Sequence, residues 1–238
     1  MPGEPAATDP AEKEARPATS QRLWTIGPAL VLAYIVLVHT VDTLATHRIQ
    51  FGIDWSVFRW RTAIGFDLLK FLGWLIIPLI LIHRHLDRGY FTFQRWKTLD
   101  FGILAGLMAA GVAAISLIGF VPTLRETYPS LGAAPLSLKL TEGLRLLIWT
   151  CSWLPGWEFL HRYVLVTSVQ AKWPRFGWLL VPLIEGAYHV QKPWPETLGM
   201  VLFSVVATRW TMTRRNVLLP FLAHLIIELE LILFLIVL

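Results

Sequence analysis

The C-terminal half of the chain carries acidic, histidine and arginine side chains inside stretches that are otherwise apolar. They occupy three stretches and one loop: Glu158, His161 and Arg162 in "WEFLHRYVL"; Glu185 and His189; the loop "VQKPWPE" ending at Glu196; and His224, Glu228 and Glu230. A carboxylate beside a neutral imidazole can deprotonate water, and a second imidazole can stabilise an oxyanion. The same residue types bind zinc or iron. The set therefore predicts either amide hydrolysis by activated water or a metal centre.

The spacing of these residues indicates how helices would present them. The i, i+4 spacing, which places two side chains on one helix face, recurs in three pairs: Glu158–Arg162, Glu185–His189 and His224–Glu228. Lipid cannot solvate ionisable groups, so the three faces must turn toward one another. The sequence thus predicts a buried polar pocket between three helices.

A purely structural interpretation competes with this one, because buried ion pairs can also fix how helices pack. For the pair Glu158–Arg162 taken alone, and for His161 and Glu230, the structural role is favoured; for Glu185 the two interpretations are balanced. Carboxylate and imidazole groups on three helices together favour a function. The segment "EFLH" has the Glu-x-x-His spacing of di-iron bundles, but such sites need two of these elements.

Composition indicates the elements that hold these residues. Of the 238 residues 55% are hydrophobic and 16% charged, and the mean hydropathy is +0.56. Soluble domains carry about 25% charged residues. Apolar runs near the length of about 20 residues that crosses a bilayer predict an all-α, polytopic transmembrane helical bundle. We expect about seven spans, near 23–45, 64–82, 100–121, 145–170, 177–190, 196–213 and 217–238.

The remaining organisation is simple. Residues 1–21 are rich in Pro, Ala and Glu and are expected to be a disordered tail, and 22–238 a single transmembrane domain. Small residues in the third span, Gly102, Gly106 and Ala110, predict tight helix packing. The only cysteine, Cys151, allows no intrachain disulfide.

The net charge of +5 does not indicate nucleic-acid binding, because Lys and Arg flank the apolar runs. They are more numerous on the side of the N-terminus, which predicts an integral protein of the inner or plasma membrane with a cytoplasmic N-terminus.

Residues 155–228 resemble the CAAX-protease and bacteriocin-processing (CPBP, or Abi) family of intramembrane proteases, within a motif region at 145–238. The first family motif, Glu-Glu-x-x-x-Arg, aligns with "WEFLHRY". The second, an aromatic-x-x-x-His helix end, aligns with "EGAYH". The third, His-x-x-x-Asn or a similar polar residue, aligns with "HLIIE", and "LLPFLAH" resembles the approach to it.

The resemblance implies a glutamate-dependent intramembrane endopeptidase. Glu158 would be the base, assisted by His189 and oriented by Arg162, and His224 with Glu228 would stabilise the oxyanion. Accessory polar groups would be Glu185 and Glu196. No cofactor is required, and zinc is not favoured. The expected partners are the bilayer and a membrane protein or lipid-anchored peptide as substrate.

The chain departs from the family pattern at Trp157, which replaces the first Glu, and also at Tyr163, Glu185 and Glu228. One alternative is a branch with a single glutamate, in which "WEF" is the working form. Another is a catalytically silent membrane-binding or regulatory protein, and a third is a metal-dependent membrane enzyme. The active form is favoured because the four central residues are retained: Glu158, Arg162, His189 and His224.

The prolines near these motifs lead to two further predictions about the backbone. Pro155 should bend the helix just before Glu158. By the predicted spans His189 and His224 lie at different depths. They meet only if the segment "VQKPWPE", with Pro193 and Pro195, enters the bilayer or if the predicted span boundaries are wrong.

Overall fold

The computed structural model describes residues 27–47 and 54–237, and these are predominantly helical. Within them there is no strand, and Arg61 and Asp67 form an isolated antiparallel bridge. The predicted all-α class is confirmed. The tail predicted for residues 1–21 lies outside the described residues.

The first half contains α1 (Pro28–His47), α2 (Leu68–Lys70), α3 (Ile77–Ile82), α4 (Thr98–Ser116) and α5 (Pro122–Thr127). A π-helical turn, Phe71–Ile76, joins α2 to α3 without a break. Short 3-10 turns fill the connections: Trp55–Phe58, His83–His85, Arg88–Phe91, Phe93–Arg95 and Leu117–Gly119.

The second half contains α6 (Leu136–Glu158), α7 (Val166–Lys172), α8 (Leu180–His189), α9 (Trp194–Arg214) and α10 (Leu218–Val237). A second π-helical turn, Phe159–Leu165, joins α6 to α7. A 3-10 turn, Gly177–Leu179, leads into α8, and a tight turn links α8 to α9, where Lys192 N–H donates to the His189 carbonyl at 2.8 Å.

In the described part of the chain, four helices are long and apolar enough to cross a membrane: Pro28–Thr46, Leu68–His85, Thr98–Gly119 and Leu218–Val237. The chain is an integral membrane protein, but the predicted number of seven spans is not confirmed. Helix α8 has only 10 residues, so at 1.5 Å per residue it covers about half of a hydrocarbon layer about 30 Å thick. Its C-terminal residue, His189, therefore reaches the level of the cluster on α6 rather than the far side.

The core is centred on the end of α6 and its π-helical turn. Trp157, Leu160 and Tyr163 are buried there among side chains from α1, α3 and α8. Gly156 permits the closest backbone approach, because a Cβ atom in its place would lie 2.8 Å from Trp74 Cβ and 3.0 Å from Leu75 N. The helix that carries Glu158 is thereby pressed against the π-helical turn between α2 and α3.

Helix α10 packs on α4 and α6, and its first turn is fixed by a buried asparagine. Asn216 Nδ2 donates to the Thr92 carbonyl at 2.5 Å, while its Oδ1 accepts from Leu218 N–H at 2.8 Å. Arg215, at φ 49°, ends α9 in the left-handed conformation. These contacts hold the start of α10 and so determine the position of His224.

The prediction that Gly102, Gly106 and Ala110 pack tightly is wrong. All three are exposed, and the two glycines have no heavy atom within 4 Å of a Cβ position. The glycine of α4 that does pack is Gly111, where a Cβ atom would lie 2.6 Å from Ile227 on α10. Close spacing of small residues did not reveal which face of α4 turns toward its neighbour.

Candidate active site

The end of α6 presents the first two polar groups of the candidate site. Pro155 lies inside α6 and has no N–H to donate to the preceding turn, and four residues later the helix widens into the π-helical turn. Such wider turns occur often at functional sites. Glu158 and Arg162 lie at this change of pitch, both buried, with 1% and 0% of their surface exposed.

Arg162 is held mainly by an acid on a different helix. Its Nη1 and Nη2 donate to the two carboxylate oxygens of Glu185 on α8 at 2.5 and 2.8 Å. This bidentate arrangement is the strongest that a guanidinium group makes with a carboxylate. The predicted contact with Glu158 is also present, but it is longer, at 3.5 Å between Arg162 Nε and Glu158 Oε2.

Glu158 is hydrogen-bonded to an imidazole from the last helix. His224 Nδ1–H donates to Glu158 Oε1 at 2.7 Å. The second oxygen, Oε2, is buried and has no hydrogen-bond partner among the described residues. Glu158 therefore has one oxygen fixed by His224 and one oxygen available to a proton, and Arg162 Nε lies nearby to balance its charge.

His189 enters the cluster from the end of α8. Its Nδ1–H donates to the backbone carbonyl of Glu185 at 2.8 Å, and Thr197 Oγ1 donates to the His189 carbonyl at 2.6 Å. The ring meets Trp157 edge-on at 5.6 Å and is only partly buried. Because Nδ1 carries the proton, Nε2 of this imidazole is an acceptor directed away from the helix backbone.

The intrahelical pairs predicted from spacing form only in part. The Glu185 carboxylate pairs with Arg162 instead of with His189, and His224 pairs with Glu158 instead of with Glu228. Carboxylates on α6 and α8 are thus neutralised by groups on other helices. The i, i+4 rule identified the helix faces correctly but not the partners, because those are chosen by helix packing.

Trp157 fills the centre of an aromatic group next to the site. Only 1% of its surface is exposed, and its ring lies 4.2 Å from that of His161 and 5.4 Å from that of Trp74. His161 donates from Nδ1 to the Trp157 carbonyl at 3.0 Å, in keeping with the structural role predicted for it. The indole also contacts His39 of α1, so it lies between α6, α1 and the π-helical turn that precedes α3.

Two further candidate acids lie beside the central group rather than in it. Glu196 is in the first turn of α9, where its Oε2 accepts from Tyr128 O–H at 2.8 Å and its Oε1 lies 3.4 Å from Lys192 Nζ. Burial, and then the Glu196 carboxylate, raise the pKa of Tyr128 above its ordinary value. Glu228, which is partly buried, interacts with His224 from the same side of α10.

A second buried polar group was missed by the sequence analysis. Asp42 on α1 and Lys70 on α2 form an ion pair at 3.4 Å, and Tyr188 O–H donates to Asp42. Lys70 Nζ also donates to the Tyr188 hydroxyl at 3.3 Å. The signal was present, since Asp42 and Lys70 are charges inside predicted spans. Only the fold shows that they meet beside His189, the neighbour of Tyr188.

Among the described residues, no three His, Cys, Asp or Glu side chains are grouped closely enough to hold a metal ion. The close contacts of the site are instead made between a carboxylate and an imidazole, and between a guanidinium and a carboxylate.

The comparison with protein families agrees with the geometry of α6 to α10. Residues 143–229 match the family model described as type II CAAX prenyl endopeptidase Rce1-like. This segment is Rce1-like. It contains Glu158, Arg162, Glu185, His189, His224 and Glu228. The comparisons with curated proteins and with solved structures give no match.

The Rce1-like region is consistent with the CPBP resemblance. It covers the helices that hold the central site, whereas the Asp42–Lys70 pair lies before it. The assignment to a single-glutamate branch remains a prediction.

Proposed function

We propose that the protein is an intramembrane endopeptidase of the glutamic type that cleaves a prenylated or otherwise lipid-anchored CAAX-type peptide. The observation that carries the proposal is the 2.7 Å hydrogen bond between Glu158 and His224, buried in apolar surroundings on two different helices. The Rce1-like match of the same segment supports the substrate class.

In the proposed reaction, Glu158 Oε2 takes a proton from water while the water oxygen attacks the scissile carbonyl carbon. The oxyanion that forms is stabilised by an imidazole, and the collapse of the intermediate breaks the C–N bond. Glu158 then returns the proton to the leaving amine. A positioned acid or base of this kind contributes about 10²- to 10⁴-fold to the rate.

The geometry favours different roles for the two imidazoles from those in the family-based expectation. His224 is the imidazole in hydrogen-bond contact with Glu158, so we assign it to the water-activating pair. His189 is partly exposed and anchored to the backbone through Nδ1, so its Nε2 is open to the substrate. We assign it to the oxyanion, whose negative charge favours protonation of this imidazole as the intermediate forms. Arg162 and Glu185 are positioning residues. Arg162 Nε lies 3.5 Å from Glu158 Oε2, and the Glu185 carboxylate fixes the Arg162 guanidinium.

The test uses protein reconstituted into vesicles and a fluorescent farnesylated CAAX peptide. Glu158→Gln is expected to lower the cleavage rate at least 100-fold without loss of folded protein, in line with the contribution of a general base. The matched control is Glu230→Gln, because Glu230 is a partly buried acid on α10 outside the site. Full activity of the Glu158→Gln protein would sink the proposal.

The two imidazoles are distinguished by combining each variant with Glu158→Gln. His224→Gln should lower kcat/KM little further in that background, because the water-activating pair is already broken, whereas His189→Gln should lower it again. A wild-type protein that is folded but cleaves no lipid-anchored peptide would instead favour the silent binding protein that Trp157 suggests.

We further propose that the protein lies in the inner or plasma membrane with its N-terminus in the cytoplasm, supported by the bias of Lys and Arg toward that side. A tag at the N-terminus should be protected from protease added outside sealed cells. Digestion of the tag in sealed cells would contradict this orientation.

A further inference from the structure

A cleft of about 320 Å³ lies at the turn that precedes α2, away from Glu158. It is lined by Arg59, Arg61, Thr62, Ala63, Gly65 and Arg145. All the ionisable side chains of this lining are arginines. A concave surface lined by guanidinium groups attracts an anion, and these groups bind phosphate oxygens in particular.

The turn that forms one wall of the cleft is tightly held. Thr62 N–H donates to the Phe66 carbonyl at 2.8 Å, and Asp67 N–H donates to Ser152 Oγ on α6 at 3.1 Å. Gly65 has φ +97° and lies against Arg145, where a Cβ atom would be 2.7 Å from Arg145 Cγ. A side chain at this position is excluded both by the backbone conformation and by lack of space. The shape of the cleft wall therefore depends on glycine at position 65.

Both uncharged and acidic neighbours position the guanidinium groups within the cleft. Arg61 Nε donates to the Gly65 carbonyl at 3.3 Å, and its guanidinium lies 5.3 Å from the centre of the Trp149 ring. Partial burial, followed by the charge of Arg145, lowers the pKa of Arg61. Arg145 pairs with Glu142 at 3.0 Å on the outer side. An anion bound between Arg61 and Arg145 would relieve their mutual repulsion.

Apolar side chains continue from the rim of the cleft onto the outer surface of the bundle. Ile64 is 63% exposed, Leu68 39% and Leu144 58%. Leu68 is also the first residue of a candidate membrane span. A ligand that fills the cleft can therefore place an anionic group on the arginines and an apolar chain beside these residues.

We propose that this cleft binds the headgroup phosphate of a phospholipid, with its acyl chains along Ile64, Leu68 and Leu144. The site is separate from the candidate active site, since Arg145 and Glu158 are 13 residues apart on α6, or about 20 Å at 1.5 Å per residue. It does not depend on the proposed peptidase activity and would exist equally in a catalytically silent protein.

The experiment measures the thermal unfolding of delipidated protein in non-ionic detergent during titration with dihexanoylphosphatidylglycerol. A ligand that binds only the folded protein raises the unfolding midpoint according to its affinity. The variant Arg61→Gln/Arg145→Gln should bind this lipid at least tenfold more weakly than the wild type. The control Lys139→Gln, which removes a partly buried cation from the same helix, should titrate as the wild type does.

Two further probes identify the ligand class. Inorganic phosphate should bind at least tenfold more weakly than the lipid, because it lacks a chain for the apolar rim. An apolar peptide with a free C-terminal carboxylate should also bind more weakly. Equal binding of inorganic phosphate, or preference for the peptide, would overturn the lipid assignment, and wild-type affinity in the double variant would overturn the site.

A single variant tests the same cleft in case the double variant does not fold. Arg59→Gln changes an exposed side chain that lines the same cleft. It should keep the unfolding midpoint of the ligand-free protein and weaken lipid binding several-fold. Unchanged lipid affinity in this folded variant would count against the arginine cleft.

Discussion

Four charged or titratable side chains form the centre of the candidate site, and they are matched in pairs. Glu158 is paired with His224, and Arg162 with Glu185. In the family pattern the two acids are adjacent on one helix, whereas here position 157 is an indole and the second acid is Glu185 on α8. The site therefore holds two carboxylates on different helices, and Arg162 contacts both of them.

Arg162→Lys tests the bidentate contact. Lysine keeps the positive charge but is a point charge without the planar fork that binds both oxygens of Glu185. We expect lower thermal stability and at least a tenfold loss of peptidase activity, because Glu185 and Glu158 lose their common support. The matched control is Arg125→Lys, an exposed arginine on α5, which should leave both quantities unchanged. Wild-type behaviour of the Arg162→Lys protein would contradict a geometric role for the guanidinium.

At the scale of elements, the site depends on where the α6 helix changes pitch and how closely it approaches its neighbour. The π-helical turn Phe159–Leu165 follows Pro155 and Glu158 directly. Gly156, in the last turn of α6, packs against Trp74 and Leu75 of the other π-helical turn, Phe71–Ile76. The last turn of α6 therefore meets the other π-helical turn closely, two residues before the candidate base.

Gly156→Ala should disturb this contact. The added methyl group would lie 2.8 Å from Trp74 Cβ, so α6 must shift, and we expect a lower unfolding midpoint together with reduced activity. Gly102→Ala is the matched control, since its position on α4 is open. It should be neutral or stabilising, because alanine favours helix by about 1 kcal/mol over glycine. Equal effects of the two substitutions would argue against the close approach.

At the scale of the whole molecule, the helices before the Rce1-like region complete its polar interior. Asp42 on α1 and Lys70 on α2 are 3% and 8% exposed, and both contact Tyr188 on α8. Tyr188 precedes His189 in the chain. The N-terminal helices thus contribute both packing and charge to the end of α8 from which His189 projects.

Asp42→Asn should leave Lys70 as a buried charge with a weakened partner and destabilise the protein by about 3–5 kcal/mol. The double variant Asp42→Asn/Lys70→Met should lose less, because no charge then remains unpaired. As a control, Glu142→Gln breaks the more exposed pair with Arg145 and should cost about 0–1 kcal/mol. Unfolding in vesicles followed by tryptophan fluorescence would measure all three. A double variant less stable than Asp42→Asn would contradict the ion pair.

Sequence alone determined the class of protein and the residues of the candidate site. Apolar runs near the length of a bilayer predict helices, and ionisable residues inside them are costly enough to be few and conspicuous. For that reason Glu158, Arg162, Glu185, His189 and His224 could all be named before their positions were known. The helix face of each followed from the 3.6-residue period.

Only the tertiary structure decided which of these groups meet. The partners of Glu158 and Glu185 come from other helices, and the exposed Gly102 and buried Gly111 differ only in which side of α4 faces α10. The short α8 and the Asp42–Lys70–Tyr188 contacts likewise depend on residues distant in the chain. Spacing within a helix fixes a direction around its axis, whereas the rotation and depth of one helix against another are set by packing over the whole bundle.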